Sequence, residues 1–382
     1  MPTVVHWVQR WLPQTETWLY NQVRHLPPSV ESHIVCESTS NLDQFAMPRL
    51  HSFEGEFPLR QWWDRQLRKL RLRRHFGFLV REILRHRAQI LHSHFGNMGW
   101  QNLAAARQAR LKHVVTFYGY DVGQLPKEDP RWQRRYTELF AQADRVLCEG
   151  PHMARCIAAL GCPEDKLRVQ HLGVSASEIS FQPREWDGRE PFRVLIAASF
   201  REKKGIPYAL EALGQLQREV PIEVTIIGDA SKLASSQIEK QRILAVIEKH
   251  GLLPKVRLLG YRPYSEFFEE AYRHHLFLSP SVTAADGDTE GGAPLGIIEM
   301  AATGIPILST THCDIPSVIR HGVTGYLAPE RDVDGLVEGL RWWLQRARQW
   351  RSVLDAGRRH IEQEYDARPL GGRLAAIYGE LV

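Results

Sequence analysis

The stretch from Asp286 to Ile315, DGDTEGGAPLGIIEMAATGIPILSTTHCDI, brings acids, glycines and a helix start together between two strand-like runs. Glu290 stands before Gly291, Gly292, Ala293, Pro294 and Leu295, and Glu299 follows inside an apolar run that closes at Gly304. Pro is favoured in the first turn of a helix and Gly just past its end, so a helix of about ten residues is expected between Pro294 and Gly304. Its first turn points unpaired backbone N–H groups into the loop, where they suit a phosphate. Two carboxylates, one before that turn and one within the helix, suit sugar hydroxyls.

Elements able to hold such a loop recur along the chain. Apolar runs at Val4 to Val8, His33 to Cys36, Ile90 to His94, Val114 to Phe117, Arg145 to Cys148 and Leu167 to His171 alternate with helical stretches. The count restarts at Arg193 to Ala198, Glu223 to Ile227, Val256 to Leu259, Leu276 to Ser279 and Ile307 to Ser309, with a short run at Gly325 to Ala328. This is the α/β pattern of parallel sheets wound by helices. The polar, Pro-containing stretch from Ser175 to Pro191 is the expected linker. Two doubly wound domains facing across a cleft are therefore predicted, over residues 1–180 and 190–364, with ligands outside the carboxyl ends of the strands. Polar groups follow those ends at His92, His94, Gly96 and Asn97; at Thr116, Tyr118, Gly119 and Asp121; at Ser199, Arg201, Lys203, Lys204 and Gly205; and at Gly228 and Asp229.

With 382 residues, 43% of them hydrophobic, the chain can fill two cores. It shows neither a leader-like N-terminus nor an apolar run of the roughly 20 residues that a membrane span needs, which predicts a cytoplasmic protein. Five scattered cysteines without a CxxC pair argue against a disulfide framework or a zinc site. The net charge of +5 is unevenly placed: Arg60 to Arg87 holds ten basic residues against Asp64 and Glu82, along with Trp62, Trp63, Leu67, Leu70 and Leu72. That block is either a basic amphipathic helix resting on anionic lipid, at the inner face of the cytoplasmic membrane, or a solvated helix face. No recognition motif for nucleic acid accompanies the charge.

The motifs LPQTETW, HSHFG, TFYGYDV, SFREKKG and TEGGAPLGIIEMAATGIPILSTTHCDIP, followed by HGVTGYLAPE, span nearly the whole chain. Together they resemble retaining glycosyltransferases of the GT-B fold, family 4, especially bacterial exopolysaccharide and colanic-acid-type enzymes. The resemblance implies an N-terminal Rossmann-like domain that binds the acceptor and is completed by a returning C-terminal segment, 365–382. It also implies a C-terminal domain that binds a nucleotide diphosphate sugar, here a substrate, with no cofactor or metal. The sequence departs from the pattern in four places. Glu290 and Glu299 are separated by eight residues where the family has seven. Ser199 stands where the basic pair of the first loop has its arginine, Tyr118 stands where a histidine is common, and RWLPQTETW replaces a glycine-rich loop.

A departing nucleotide diphosphate needs fixed positive potential more than it needs a nucleophile. Lys204, Arg201 and the helix start are the expected suppliers, with Glu290 orienting the donor sugar and His94 as a further catalytic candidate. Glu299 is expected at the ribose, and Gly291, Gly292, Ala293, Pro294, Leu295, Ser199 and Gly228 around the donor. Thr15, Glu16, Tyr118 and Asp121 are assigned to the acceptor side, where Thr15 to Thr17 also suit a helix cap. The acceptor is an oligosaccharide or a lipid-linked sugar. Asp286 and Asp288 form a D-x-D that is a metal clamp, a solvated loop or a helix cap. His92 and His94 form an H-x-H with no third ligand at a convincing spacing. A nucleotide-sugar epimerase on the same two-domain plan is the alternative function, with a non-catalytic nucleotide-sugar binder more distant.

Overall fold

A computed structural model describes residues 1–12 and 17–382. The chain divides into two compact units, Met1–Ser175 with Asp366–Val382, and Ala176–Tyr365. The first is built on strands β1 (Thr3–Trp11), β2 (Glu31–Thr39), β3 (Leu50–Ser52), β4 (Ile90–His94), β5 (Lys112–Thr116), β6 (Arg145–Cys148) and β7 (Leu167–Val169). The second has β8 (Phe192–Ala197), β9 (Ile222–Ile227), β10 (Val256–Gly260), β11 (Leu276–Ser279), β12 (Ile307–Thr310) and β13 (Tyr326–Ala328). Every described pairing between these strands is parallel. The orders are β3-β2-β1-β4-β5-β6-β7 and β10-β9-β8-β11-β12-β13, so each unit is doubly wound. The chain reverses direction across the sheet between β1 and β4, and again between β8 and β11, and such switch points open a crevice at the carboxyl ends.

Burial on both faces explains why these strands are near-continuous apolar runs. Val194 and Ile196 of β8 are buried with Leu210 and Leu213 of the helix Ile206–Leu216, and with Trp343 from the helix Val333–Gln345. Each such side chain contributes about 1.5–3 kcal/mol relative to exposure. The short strand β3 was not foreseen: its three residues, LHS, are half-buried and carry no run long enough to stand out.

The predicted helix after Pro294 forms as Leu295–Thr303, with Pro294 as its N-cap and Gly304 in the left-handed conformation at its end. The stretch from Ser175 to Pro191 is not a free linker. The transition falls at Ser175, and the residues beyond it are strapped to the second unit: Gln182 and Arg184 donate backbone N–H groups to the Thr303 and Gly304 carbonyls. The Arg358 guanidinium donates to the carbonyls of Ala176, Ile179 and Ala302.

The basic block also differs from expectation. It forms two helices, Pro58–Lys69 and Gly77–Arg85, with Arg71 in the left-handed region between them. The buried Asp64 of the first helix accepts the N–H groups of Gly77 and Phe78, capping the second, and pairs with Arg73. Leu59, Trp62, Trp63 and Leu70 face solvent, each more than half exposed. No helix among the described residues is long and apolar enough to cross a membrane.

Candidate active site

Because β8 and β11 are adjacent, the loops that follow them meet. The first loop runs from Ala198 through the short turn Glu202–Lys204 to Gly205, which has a φ of 63°. A Cβ at Gly205 would lie 1.9 Å from the Pro280 carbonyl oxygen, so only glycine lets the loops approach this closely. Gly228 is constrained in the same way by the Ala198 carbonyl, at 1.9 Å.

At the meeting point lies a cluster of five charges. The Lys204 Nζ donates to Glu290 Oε2 at 2.8 Å, and Ser281 Oγ donates to Glu290 Oε1 at 2.7 Å. The Lys203 Nζ donates to Asp288 Oδ1 at 3.2 Å and to the Thr289 carbonyl at 2.7 Å, and lies 4.0 Å from Glu290 Oε2. Arg201 donates to Asp288 Oδ2 at 2.5 Å. Burial pushes the Glu290 carboxyl up, but the neighbouring Lys204 and then Lys203 outweigh it and hold the carboxyl at about 2. Burial lowers the Lys203 ammonium, with Glu290 opposing. Three cations face two carboxylates, so positive charge remains at the loop.

A second tier fixes this loop. The Glu290 backbone N–H donates to His312 Nε2 at 3.1 Å, and His312 Nδ1 donates to Glu330 Oε1 at 2.6 Å, which sets the tautomer. Glu330 also accepts the Thr283 N–H. Lys203, Asp288, Ser281, His312 and Glu330 were not assigned from sequence. Asp288 was weighed as a metal clamp or a solvated group; it is buried, and both its oxygens engage protein cations.

The helix Leu295–Thr303 has no side-chain cap at its start, and the first N–H groups of a helix have no partners within it. Gly291, Gly292, Ala293 and Pro294 lead into this start, while Ser199 lies in the facing loop. Glu299 is buried on the helix and accepts from the Tyr264 hydroxyl at 2.6 Å. Burial pushes its carboxyl up to about 7, against a smaller downward pull from that hydroxyl.

In the first unit, Thr15 and Glu16 lie outside the described residues. His94 is fully buried. Its Nδ1 meets the Tyr118 hydroxyl at 2.5 Å and its Nε2 meets His6 Nδ1 at 3.1 Å. Burial, then His6, holds its imidazole far below the usual range. His94 therefore supports Tyr118 from within. Asp121 is fully buried and accepts backbone N–H groups from Gly96, Tyr118 and Gly119. It fixes two loops. A third imidazole does join His92 and His94: His6, paired with His92 across β1 and β4. Sequence spacing could not show this neighbour, since it comes from another strand. His92 already has both nitrogens engaged, by Tyr378 and Thr116.

Residues 178–360 match the family model described as Glycosyl transferases group 1, and residues 15–178 match Glycosyltransferase Family 4. AmsK of Erwinia amylovora, an amylovoran biosynthesis glycosyltransferase, is 32% identical over 297 residues, covering 77% of this chain and 70% of AmsK. The chain belongs to glycosyltransferase family 4. WcaL of Escherichia coli K12, described as a colanic acid biosynthesis glycosyltransferase, is 29% identical over 298 residues, covering 76% of this chain and 70% of WcaL. Anabaena HepE, solved with UDP and glucose, superposes with a TM-score of 0.77 at 16% identity over the whole of both chains. The lipopolysaccharide outer core galactosyltransferase WaaB does so at 0.71 and 15%, again over both whole chains. These likenesses establish the GT-B fold. The family match makes the protein a glycosyltransferase and leaves the epimerase reading without support.

Proposed function

We propose that this protein moves a sugar, with retention at the anomeric carbon, from a nucleotide diphosphate sugar to an oligosaccharide or lipid-linked acceptor in bacterial polysaccharide biosynthesis. The similarity to AmsK and WcaL supports the setting, and the UDP-bound fold neighbour HepE supports the donor class. In this reading residues 190–364 bind the donor, while residues 1–180 with 365–382 bind the acceptor.

The observation that carries the reading is the convergence of Arg201, Lys203 and Lys204 with an uncapped helix start at the same strand ends. Positive charge held in place before the reaction stabilises a departing diphosphate with little reorganisation. As the bond from the anomeric carbon to the phosphate oxygen breaks, that oxygen takes the acceptor hydroxyl proton. The acceptor oxygen then bonds to the same face. Glu290, kept ionised by its lysines, orients donor hydroxyls, and Glu299 receives ribose hydroxyls beside Tyr264. Protein cations supply the potential, so transfer proceeds without a divalent metal.

The exposed stripe of Leu59, Trp62, Trp63 and Leu70, flanked by Arg65, Lys69 and Arg71, supports a peripheral seat on an anionic bilayer.

A thermal-shift series with uridine, guanosine and adenosine diphosphates, followed by incubation with the matching sugar donor and EDTA, tests the donor and metal assignments. The expected result is one stabilising nucleotide and acceptor-dependent release of that diphosphate in EDTA. Donor isomerisation without release would overturn the reading.

A further inference from the structure

In the second unit β11, β12 and β13 lie side by side, with Ser309 and Thr310 of β12 paired to Leu327 and Ala328 of β13. Two positions on, His312 follows Thr310 and Glu330 follows Ala328, so both residues leave the sheet at the same level. The loop after β11 meets them there. Its Thr283 N–H donates to Glu330 Oε2 at 2.7 Å, and its Glu290 N–H donates to His312 Nε2 at 3.1 Å.

These partners decide where the ring hydrogen of His312 sits. A backbone N–H only donates, so Nε2 presents its lone pair to Glu290, and the hydrogen is on Nδ1, 2.6 Å from Glu330 Oε1. The Cys313 Sγ lies 3.1 Å from the same Nε2. Burial pushes that thiol up to about 12, so it stays protonated and its S–H is a second donor to the lone pair. Glu330 is fixed in turn by the Thr283 N–H and by Arg331, whose Nη1 is 3.7 Å from its Oε2. The buried imidazole is thus held in one tautomer from both sides.

The contact falls where the loop departs from the family pattern. Eight residues separate Glu290 from Glu299 where the family has seven, and Gly291, with a φ of 77°, and Gly292 follow the acid directly. Glycines there leave the chain free to place Glu290 in more than one way. His312 removes that freedom by holding the Glu290 main chain, while Ser281 and Lys204 hold its carboxylate.

We propose that His312, oriented by Glu330, is the positioning residue that sets the register of Glu290 against the donor sugar. It acts through the Glu290 main chain. A misplacement of about 1 Å at a reacting centre costs on the order of 10²-fold in rate. The effect on rate rests on the sugar-transfer reading given above, whereas the contact itself does not.

The test compares full-length wild type with His312→Gln, His312→Asn and Glu330→Ala. Glutamine can bring its amide oxygen to where Nε2 stands, while asparagine replaces only Nδ1 and keeps only the side facing Glu330. Hydrogen exchange at the Glu290 amide and long-range proton–nitrogen spectra of the imidazole need no substrate. In the wild type that amide should exchange slowly, and the His312 ring, identified by its loss in His312→Gln, should carry its hydrogen on Nδ1. His312→Asn should exchange fast at Glu290 and lose on the order of 10²-fold in kcat, with affinity for a free nucleoside diphosphate, which lacks the sugar, near that of the wild type. His312→Gln should restore slow exchange and most of kcat, and Glu330→Ala, whose ring has lost its orientation, should exchange fast. Slow exchange in His312→Asn, a wild-type ring with its hydrogen on Nε2, or a glutamine variant no better than the asparagine one would each overturn the proposal. Fast exchange in His312→Asn with unchanged kcat would equally overturn it. A wild type that neither binds a nucleoside diphosphate nor transfers sugar would overturn the reading of the site and with it the effect on rate, while exchange and tautomer would still decide the contact.

Discussion

Lys204 Nζ and Glu290 Oε2 lie 2.8 Å apart, joining the loop after β8 to the loop after β11 through two largely buried charges. The lysine expected at the leaving phosphate is thus held by the carboxylate expected at the sugar. Lys204→Ala removes one of two ammonium groups near Glu290 and leaves Lys203 at 4.0 Å. Loss of a preorganised charge at a developing anion costs on the order of 10²–10³ in rate. Turnover of Lys204→Ala should fall by that order and nucleotide affinity should weaken, as read by steady-state kinetics and calorimetry. A normal kcat would remove Lys204 from the leaving-group site.

Glu290 sets an acid limit on stability. Its carboxyl titrates at about 2 in the fold against 4.5 in the unfolded chain, because Lys204 and Lys203 outweigh burial. The folded form favours the ionised group, so this contribution is complete above pH 4.5 and is lost as pH falls towards 2. A shift of that size corresponds to about 3 kcal/mol. Denaturant midpoints measured from pH 6 down to pH 3 should therefore fall less steeply in Glu290→Gln than in the wild type. Parallel slopes would show that the pair contributes nothing on folding.

The sequence pattern carried both sheets, because strands buried on two faces are apolar runs that need no partner to be recognised. It also placed Lys204, Arg201, Glu290 and the helix Leu295–Thr303 on strand ends that the topology makes neighbours. What it could not show depends on cross-strand proximity. His6 beside His94, His312 under Glu290 and Asp288 between Arg201 and Lys203 are contacts between residues at least 22 positions apart. Motif spacing carries no information about such pairs. The division between the units falls at the start of the expected linker, and the backbone bonds that hold residues 176–191 to the second unit leave no trace in composition.

His94 should prove structural. It is fully buried between Tyr118 and His6, and its removal leaves a buried hydroxyl and a ring nitrogen without their partner. Leaving such a group unsatisfied costs about 1–3 kcal/mol. His94→Ala should lower the melting temperature while the affinity for free nucleoside diphosphate stays unchanged. A variant of unchanged stability that has lost turnover would restore a direct catalytic role.

The seat on lipid makes a charge-and-aromatic prediction. Arg68 stacks on Phe76 and Arg74 on Trp100, so neither is free to serve the surface alone. The test therefore uses Arg65→Glu/Lys69→Glu/Arg71→Glu and, separately, Trp62→Ala/Trp63→Ala. Each basic residue near an anionic surface is worth about 1 kcal/mol. Sedimentation with vesicles of phosphatidylglycerol and phosphatidylethanolamine should fall steeply in the charge variant and partly in the aromatic one. Equal sedimentation of both with the wild type would leave the stripe a solvated face.

Glu299 should make nucleotide binding depend on pH. Burial raises its carboxyl to about 7, with Tyr264 holding one oxygen at 2.6 Å. A ribose hydroxyl is best accepted by the ionised carboxylate, so binding draws the group towards ionisation. Affinity for a nucleoside diphosphate should then rise with pH through about 7, in calorimetric titrations between pH 6 and 8. Folding responds in the opposite sense: the fold favours the protonated acid, so the stability of the free protein falls as pH rises from 4.5 through 7. Glu299→Gln should bind more weakly and flatten both profiles. Tyr264→Phe removes a donor to the carboxylate, which moves the midpoint of the affinity curve to higher pH. That displacement separates a carboxylate that meets the ligand from one that serves only the fold, because in the second case the affinity curve is flat in every variant.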